Sequence, residues 1–141
     1  MVEAFSDEAT ADAANLVGIK KGQRVVGDIN LCCVDRERCE ACAEGGPRGR
    51  NHCPNRTTLG IVNKDGALAQ FLTLPIRNLH AVSDAISDDS AVFVEPLAAA
   101  CRILEQGVVK PDDRVLVIGD GKLGLLICEV LGRHLLKGLL L

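Results

Sequence analysis

"VLVIGDGKLG", residues 115–124, is the stretch from which the rest of the chain can be read. Four apolar residues, Val115 to Ile118, read as a short buried strand. Gly119, Gly121 and Gly124 follow in the spacing G-x-G-x-x-G, and a helical run continues through "LLICEVLG" (125–132). Glycines in this order permit a tight turn, the approach of a pyrophosphate to the backbone, and close helix–strand packing. The helix N-terminus then presents unpaired N–H groups to the phosphates. Gly119, Gly121, Lys122, Leu123 and Gly124 are therefore the candidate cofactor-binding residues, and a glycine turn without a ligand is the plainer alternative. The position about 20 residues further on, where an acidic residue is expected, is not within residues 1–141, so NAD or NADP is undecided.

Upstream of this unit, a Pro-Asp-Asp turn at 111–113 is preceded by "SDDSAVFVEPLAAACRILEQG" (87–107). That run reads as a helical region, with Pro96 near its start and Gly107 past its end. Before Ser83 the character is different. "GQRVVGDINLC" (22–32) reads as one strand, and "NLHAVSD" (78–84) as another. "TTLGIV" (57–62) and "ALAQFLTLP" (67–75) read as strands flanking Asn63-Lys64-Asp65-Gly66, where Asp-Gly signals a hairpin. Residues 1–21 are polar, with a weak helical or loop reading. The predicted order is antiparallel β to about residue 82, a helical connection, then the opening of an α/β unit.

Five of the seven cysteines fall between 32 and 53, in a stretch rich in Gly, Arg, Pro and Asn that has no periodicity of its own. An irregular stretch of this length in a compact protein needs an outside source of order. Cys39 and Cys42 form a Cys-x2-Cys pair of the kind that tetrahedral zinc uses. Cys33 and Cys53 flank the pair; Cys32 competes for the first place and His52 for the last. Binding could contribute about 10–16 kcal/mol, as in small zinc modules, and would offset the cost of ordering the loop. Reduced, unligated thiols are the alternative. Four cysteine ligands leave no open position, so such a zinc would be structural. Cys101 and Cys128 sit in apolar, helix-like surroundings and read as core residues.

Composition narrows the rest. The formal charge of −3 argues against a nucleic-acid surface. With three Phe and no Tyr or Trp, the core must be aliphatic. The opening "MVEAFSDEAT" is acidic and polar, unlike a secretory signal. The C-terminal apolar region is interrupted by Asp120, Lys122, Glu129 and Arg133, unlike a membrane span. These features favour reduced thiols and a cytoplasmic setting.

The two motifs are joined by "GQRVVGDINLCC", "NHCPNRTTLGI", "DGALAQFLTLPIRNLHAV" and "AVFVEPLAAACRILEQG". In this order they resemble the zinc-dependent medium-chain alcohol and polyol dehydrogenases, in their sorbitol- and threonine-dehydrogenase-like branches, from about residue 17 to 134. The resemblance implies an α+β to α/β architecture. A partial GroES-like β domain (1–95) would carry a zinc lobe at about 32–54, and a connecting helix (96–110) would lead into the first βα unit of a Rossmann fold (111–141). It implies structural zinc on Cys33, Cys39, Cys42 and Cys53, with Cys33 preferred over Cys32. It also implies that Glu95, in the "EPL" segment, is a ligand or neighbour of a catalytic zinc; a Glu at a helix start is also favoured by the macrodipole alone. The implied reaction is hydride transfer between an alcohol or polyol and NAD or NADP. The family's catalytic Cys and Gly-His-Glu segment have no counterpart here, and His80 and His134 do not occupy those places. The tail "HLLKGLLL" does not look like the expected continuation of the Rossmann sheet. The chain thus reads as an internal piece with little activity alone. It could also be a non-catalytic zinc-binding module that assembles with a second copy or with a full-length dehydrogenase.

Overall fold

The computed structural model describes residues 1–33, 39–43, 52–134, 136 and 138–141. Most of the glycine-rich stretch between Cys42 and Cys53 lies outside the described residues. The chain divides into two compact units, Met1–Asp84 and Ala85–Leu141.

The first unit opens with helix α1 (Glu8–Leu16). Asp7 caps it, its Oδ1 accepting from the Thr10 backbone N–H at 2.7 Å. Gly18, at φ 76°, ends it. The Ile19 N–H reaches back to the Ala14 carbonyl at 2.8 Å and the Gly18 N–H to that of Asn15 at 3.1 Å, which is a Schellman closure. That closure turns Ile19 inward. Ile19, Ala14 and Val2 are buried, with Phe5, Val25, Ile76 and Leu79 packed on them. The "weak" N-terminal segment is thus a helix because both its ends are capped and one small residue, Ala14, is covered.

The strand expected over 22–32 is divided into β1 (Val25–Gly27) and β2 (Asn30–Leu31). Asp28 makes the break, as its side chain accepts from the Asn30 backbone N–H at 2.8 Å and bends the chain. β3 (Thr57–Thr58) pairs antiparallel with β2, with Asn30 opposite Thr58 and Leu31 opposite Thr57. A 3-10 turn, Ile76–Asn78, leads into β4 (Leu79–Ala81), which pairs antiparallel with β1, Val26 facing His80.

The hairpin expected at Asp65-Gly66 does not form, and "ALAQFLTLP" is not a strand. The chain reverses earlier, where Thr58 and Val62 bridge with reciprocal bonds of 2.8 and 2.9 Å around Gly60 at φ 70°. Gly66 instead lies against Gly60; a Cβ on Gly60 would sit 3.2 Å from the Gly66 Cα. Leu68 and Phe71 are exposed, so the following segment has no surface here on which alternation could be rewarded.

In the second unit the helical region is two helices, α3 (Asp88–Ala91) and α4 (Val94–Glu105), broken at Val92-Phe93. Pro96 sits in the first turn of α4, where its missing N–H costs no helical bond. Gly107, at φ 65°, follows the C-terminus. β5 (Arg114–Leu116) leads through the glycine turn into α5 (Lys122–Gly132), which packs on α4. Cys101 on α4 and Cys128 on α5 are half-buried, short of the full burial expected of core residues.

The tail differs from its sequence reading. Gly138–Leu140 form a second strand, β6, paired parallel with β5 in the register Arg114–Gly138, Val115–Leu139, Leu116–Leu140. Strand, helix and parallel strand make a βαβ unit. Val115 and Val117 are half-buried while Leu116, Ile118 and Leu140 are exposed, the alternation of a sheet covered on one face. No helix among the described residues is long and apolar enough to cross a membrane.

Candidate metal centre

β2 delivers Cys32 and Cys33 to the edge of the first unit. Across from them, Cys39 starts a tight turn into helix α2 (Glu40–Ala43). The N–H groups of Cys42 and Ala43 both reach the Cys39 carbonyl at 2.9 Å. This turn places Cys39 and Cys42 side by side, the usual result of two intervening residues. Cys53 comes from the segment before β3, and its carbonyl accepts from the Arg56 N–H at 3.1 Å.

The four sulfurs of Cys33, Cys39, Cys42 and Cys53 all lie within 4.8 Å of one another. The Sγ–Sγ distances are 3.6 Å for Cys33–Cys42, 3.8 Å for Cys39–Cys53 and 3.4 Å for Cys33–Cys53. A disulfide needs about 2.05 Å, and none of the seven cysteines forms one. Zinc–thiolate bonds of about 2.3 Å in a tetrahedron put sulfurs about 3.8 Å apart. The cluster is close to that spacing, and the donor set fits zinc. Cys39, Cys42 and Cys53 are buried and Cys33 half-buried. Cys32 packs against the outside of the cluster, and His52 is exposed on its turn.

Two influences oppose each other at Cys39. Hydrogen bonding from the Cys42 backbone N–H favours the thiolate, but burial and the Cys33 and Cys53 thiols disfavour it more, and the thiol is pushed above its ordinary value. A metal bound here must therefore displace protons, and its affinity falls with acid.

Among the described residues this is the one group of three or more Cys, His, Asp or Glu side chains gathered to hold a metal ion. Glu95 is exposed in the first turn of α4 and belongs to no such group. The described residues therefore do not make up a catalytic zinc site.

In the second unit, Gly119 has φ 113°, a conformation that favours glycine. A Cβ on Gly124 would stand 2.0 Å from the Gly119 carbonyl oxygen, so turn and helix touch backbone to backbone there. Gly121 is the N-cap of α5 and no side chain bonds across it. The first-turn N–H groups, beginning at Lys122, therefore lack intrahelical partners and point outward. This arrangement fits a phosphate.

Two polar residues that sequence reasoning passed over also belong to the metal centre's surroundings. Asn78 is buried, and its Nδ2 donates to the carbonyls of Asp28 at 3.0 Å and Asn30 at 2.8 Å. The Arg77 guanidinium donates to the Cys32 carbonyl at 3.1 Å. Nothing local marks them; the only signal is a polar pair directly before an apolar strand.

No family model matches the chain. It is 35% identical over 115 residues to the probable D-xylulose reductase A of Aspergillus fumigatus, a match covering 82% of this chain and 30% of that protein. It is 32% identical over 127 residues to the L-threonine 3-dehydrogenase of Francisella tularensis subsp. mediasiatica, covering 89% of the chain and 34% of the relative. Among solved structures, an alcohol dehydrogenase from Escherichia coli CFT073 complexed with NADH superposes with a TM-score of 0.72 at 30% identity, over 86% of this chain and 35% of that one. The chain thus spans about a third of the length of these relatives. In sequence and in its mixed α/β fold its homologues are zinc-dependent medium-chain alcohol and polyol dehydrogenases, and its four-cysteine cluster is suited to a zinc site.

Proposed function

We propose that this chain forms the structural-zinc lobe and part of the cofactor cradle of a dehydrogenase that moves hydride between an alcohol or polyol and NAD or NADP. The observation that carries the reading is the four-sulfur cluster, with Sγ–Sγ distances of 3.4–3.8 Å. Cys33, Cys39, Cys42 and Cys53 would hold the zinc, which when bound supplies a cross-link and no reactive position. The N–H groups at the start of α5, with Gly119, Gly121, Lys122, Leu123 and Gly124, would bind the cofactor pyrophosphate. Glu95 would lend a carboxylate to a catalytic metal only with donors from outside the described residues, and no catalytic step is assigned to it.

The four-thiolate donor set also supports a second reading, in which the chain has little activity alone and serves as a zinc-stabilised module that assembles with another copy or with a longer dehydrogenase. None of the seven cysteines is in a disulfide, which suits a reducing, cytoplasmic setting. Elemental analysis of the purified chain, with a titration of reactive thiols, tests the common part. About one zinc per chain, with the cluster thiols protected, is expected; no zinc with all thiols reactive would refute it. Turnover of a panel of alcohols with either nucleotide separates the two readings, since measurable activity excludes the module.

A further inference from the structure

The segment that carries the first cysteine ligand has an unusual lateral support. β2 pairs with β3 on one edge only, and the Ile29 carbonyl accepts from the Leu59 N–H on that side at 2.9 Å. Carbonyls alternate sides within β2, so that of Asn30 faces the opposite edge, where those of Asp28 and Cys32 also find their donors. Among the described residues no strand lies there. The Asp28 and Asn30 carbonyls accept from Asn78 Nδ2 and that of Cys32 from Arg77, at 3.0, 2.8 and 3.1 Å. The Asn78 carbonyl accepts from the Asp28 N–H at 2.8 Å, and the Asn78 N–H is tied to the Pro75 carbonyl at 2.9 Å. Two adjacent side chains thus do the work of a partner strand. Their last bond falls on the residue immediately before Cys33.

We infer that Arg77 and Asn78 are positioning residues for the metal centre, holding the 28–32 backbone so that Cys33, and not Cys32, presents its sulfur to the other three. Adjacent residues of an extended chain point to opposite faces, so a rotation of this segment would withdraw Cys33 and offer Cys32. The Arg77 bond at the Cys32 carbonyl opposes that rotation at the nearest point. Arg77 is exposed and, among the described residues, bonds to the Cys32 carbonyl and not to a ligand sulfur, so its effect on the metal passes through the backbone. The inference rests on the four cysteines binding zinc.

The test is metal affinity of the full chain, with cobalt(II) as a spectroscopic probe and zinc measured by chelator competition. Arg77→Ala should weaken metal binding by about tenfold, the low end of the 10–100-fold loss seen when outer partners of a metal site are removed. Its cobalt–thiolate absorption should also change, while the melting midpoint of the metal-free chain stays where it was. Arg77→Lys, which keeps a donor on a long stem, should recover part of the affinity. Arg24→Ala is the control, since it removes a bond of the same kind, from Arg24 to the Ser83 carbonyl at 2.8 Å, away from the cysteine segment; it should bind metal like the parent. If the parent chain binds no metal, the zinc reading itself fails. If the parent binds but Arg77→Ala binds equally well, or loses no more than Arg24→Ala, the positioning role is overturned.

Discussion

Replacing Gly124 with alanine sets two known effects against each other. Alanine is favoured over glycine inside a helix by about 1 kcal/mol, so Gly124→Ala should stabilise α5 if helix propensity decides. The new methyl, however, would stand 2.0 Å from the Gly119 carbonyl oxygen and 3.1 Å from its carbon. Side-chain carbons do not approach such atoms closer than about 3.0 Å, so the turn must open by about 1 Å. Both atoms are backbone, and no rotamer change relieves the contact. Forced shifts of packed structure cost about 1–3 kcal/mol, and the balance runs from about zero to a loss of about 2 kcal/mol. Gly132→Ala is the matched case at the other end of the same helix. Its methyl would meet only a Leu139 methyl at 3.8 Å, an ordinary contact, so a gain of about 0.4–1 kcal/mol is expected. Urea unfolding followed by far-ultraviolet circular dichroism measures both. A Gly124→Ala chain stabilised as much as the Gly132→Ala chain, or a Gly132→Ala chain that loses as much as Gly124→Ala, would refute the backbone-contact argument.

Other outcomes follow from the same geometry. Cys42→Ser should abolish or sharply weaken zinc binding whereas Cys32→Ser should leave about one zinc per chain, because only the former sulfur belongs to the four; equal zinc contents would count against the ligand set. Asn78→Ala strands the Asp28 and Asn30 carbonyls and should cost about 1–3 kcal/mol in the same urea assay; a change near zero would show that water replaces the amide freely. The carboxyl of Asp7 is held below the usual carboxylate range by the Thr10 side chain, the Thr10 N–H and Ser6. Its contribution is thus fully present above the ordinary aspartate value and is lost as pH falls through the lowered folded one. Asp7→Asn keeps the cap without the titration, so its stability should depend less on pH below about 4, and parallel profiles for parent and variant would contradict this.

The glycine triad and the Cys-x2-Cys pair could be read in the sequence because each works locally. Gly119, Gly121 and Gly124 shape a turn within a few residues, and two intervening residues suffice to set Cys39 beside Cys42. The capping signals were also local, with Asp7 before Glu8 and Gly18 after Val17, although the polarity of the first 21 residues masked the helix between them. The Asp65-Gly66 signal misled because a glycine tolerates both a tight reversal and a close crossing. Gly66 is used for the crossing, against a Gly60 that had already turned the chain.

Sequence by itself determined the chemical inventory and the local turns: four zinc-competent thiols, a G-x-G-x-x-G turn between strand and helix, and the change from β to helical character after Ser83. Tertiary structure decided what depends on partners far along the chain. "HLLKGLLL" contains no mark of a parallel strand, because parallel pairing is rewarded only when a helix carries the chain back beside β5. The choice of Cys33 over Cys32 is likewise absent from their identical side chains. It follows from which edge of residues 28–32 meets Arg77 and Asn78, some 45–50 positions away, since an extended backbone sends neighbouring side chains to opposite faces and only long-range hydrogen bonds fix which face is which.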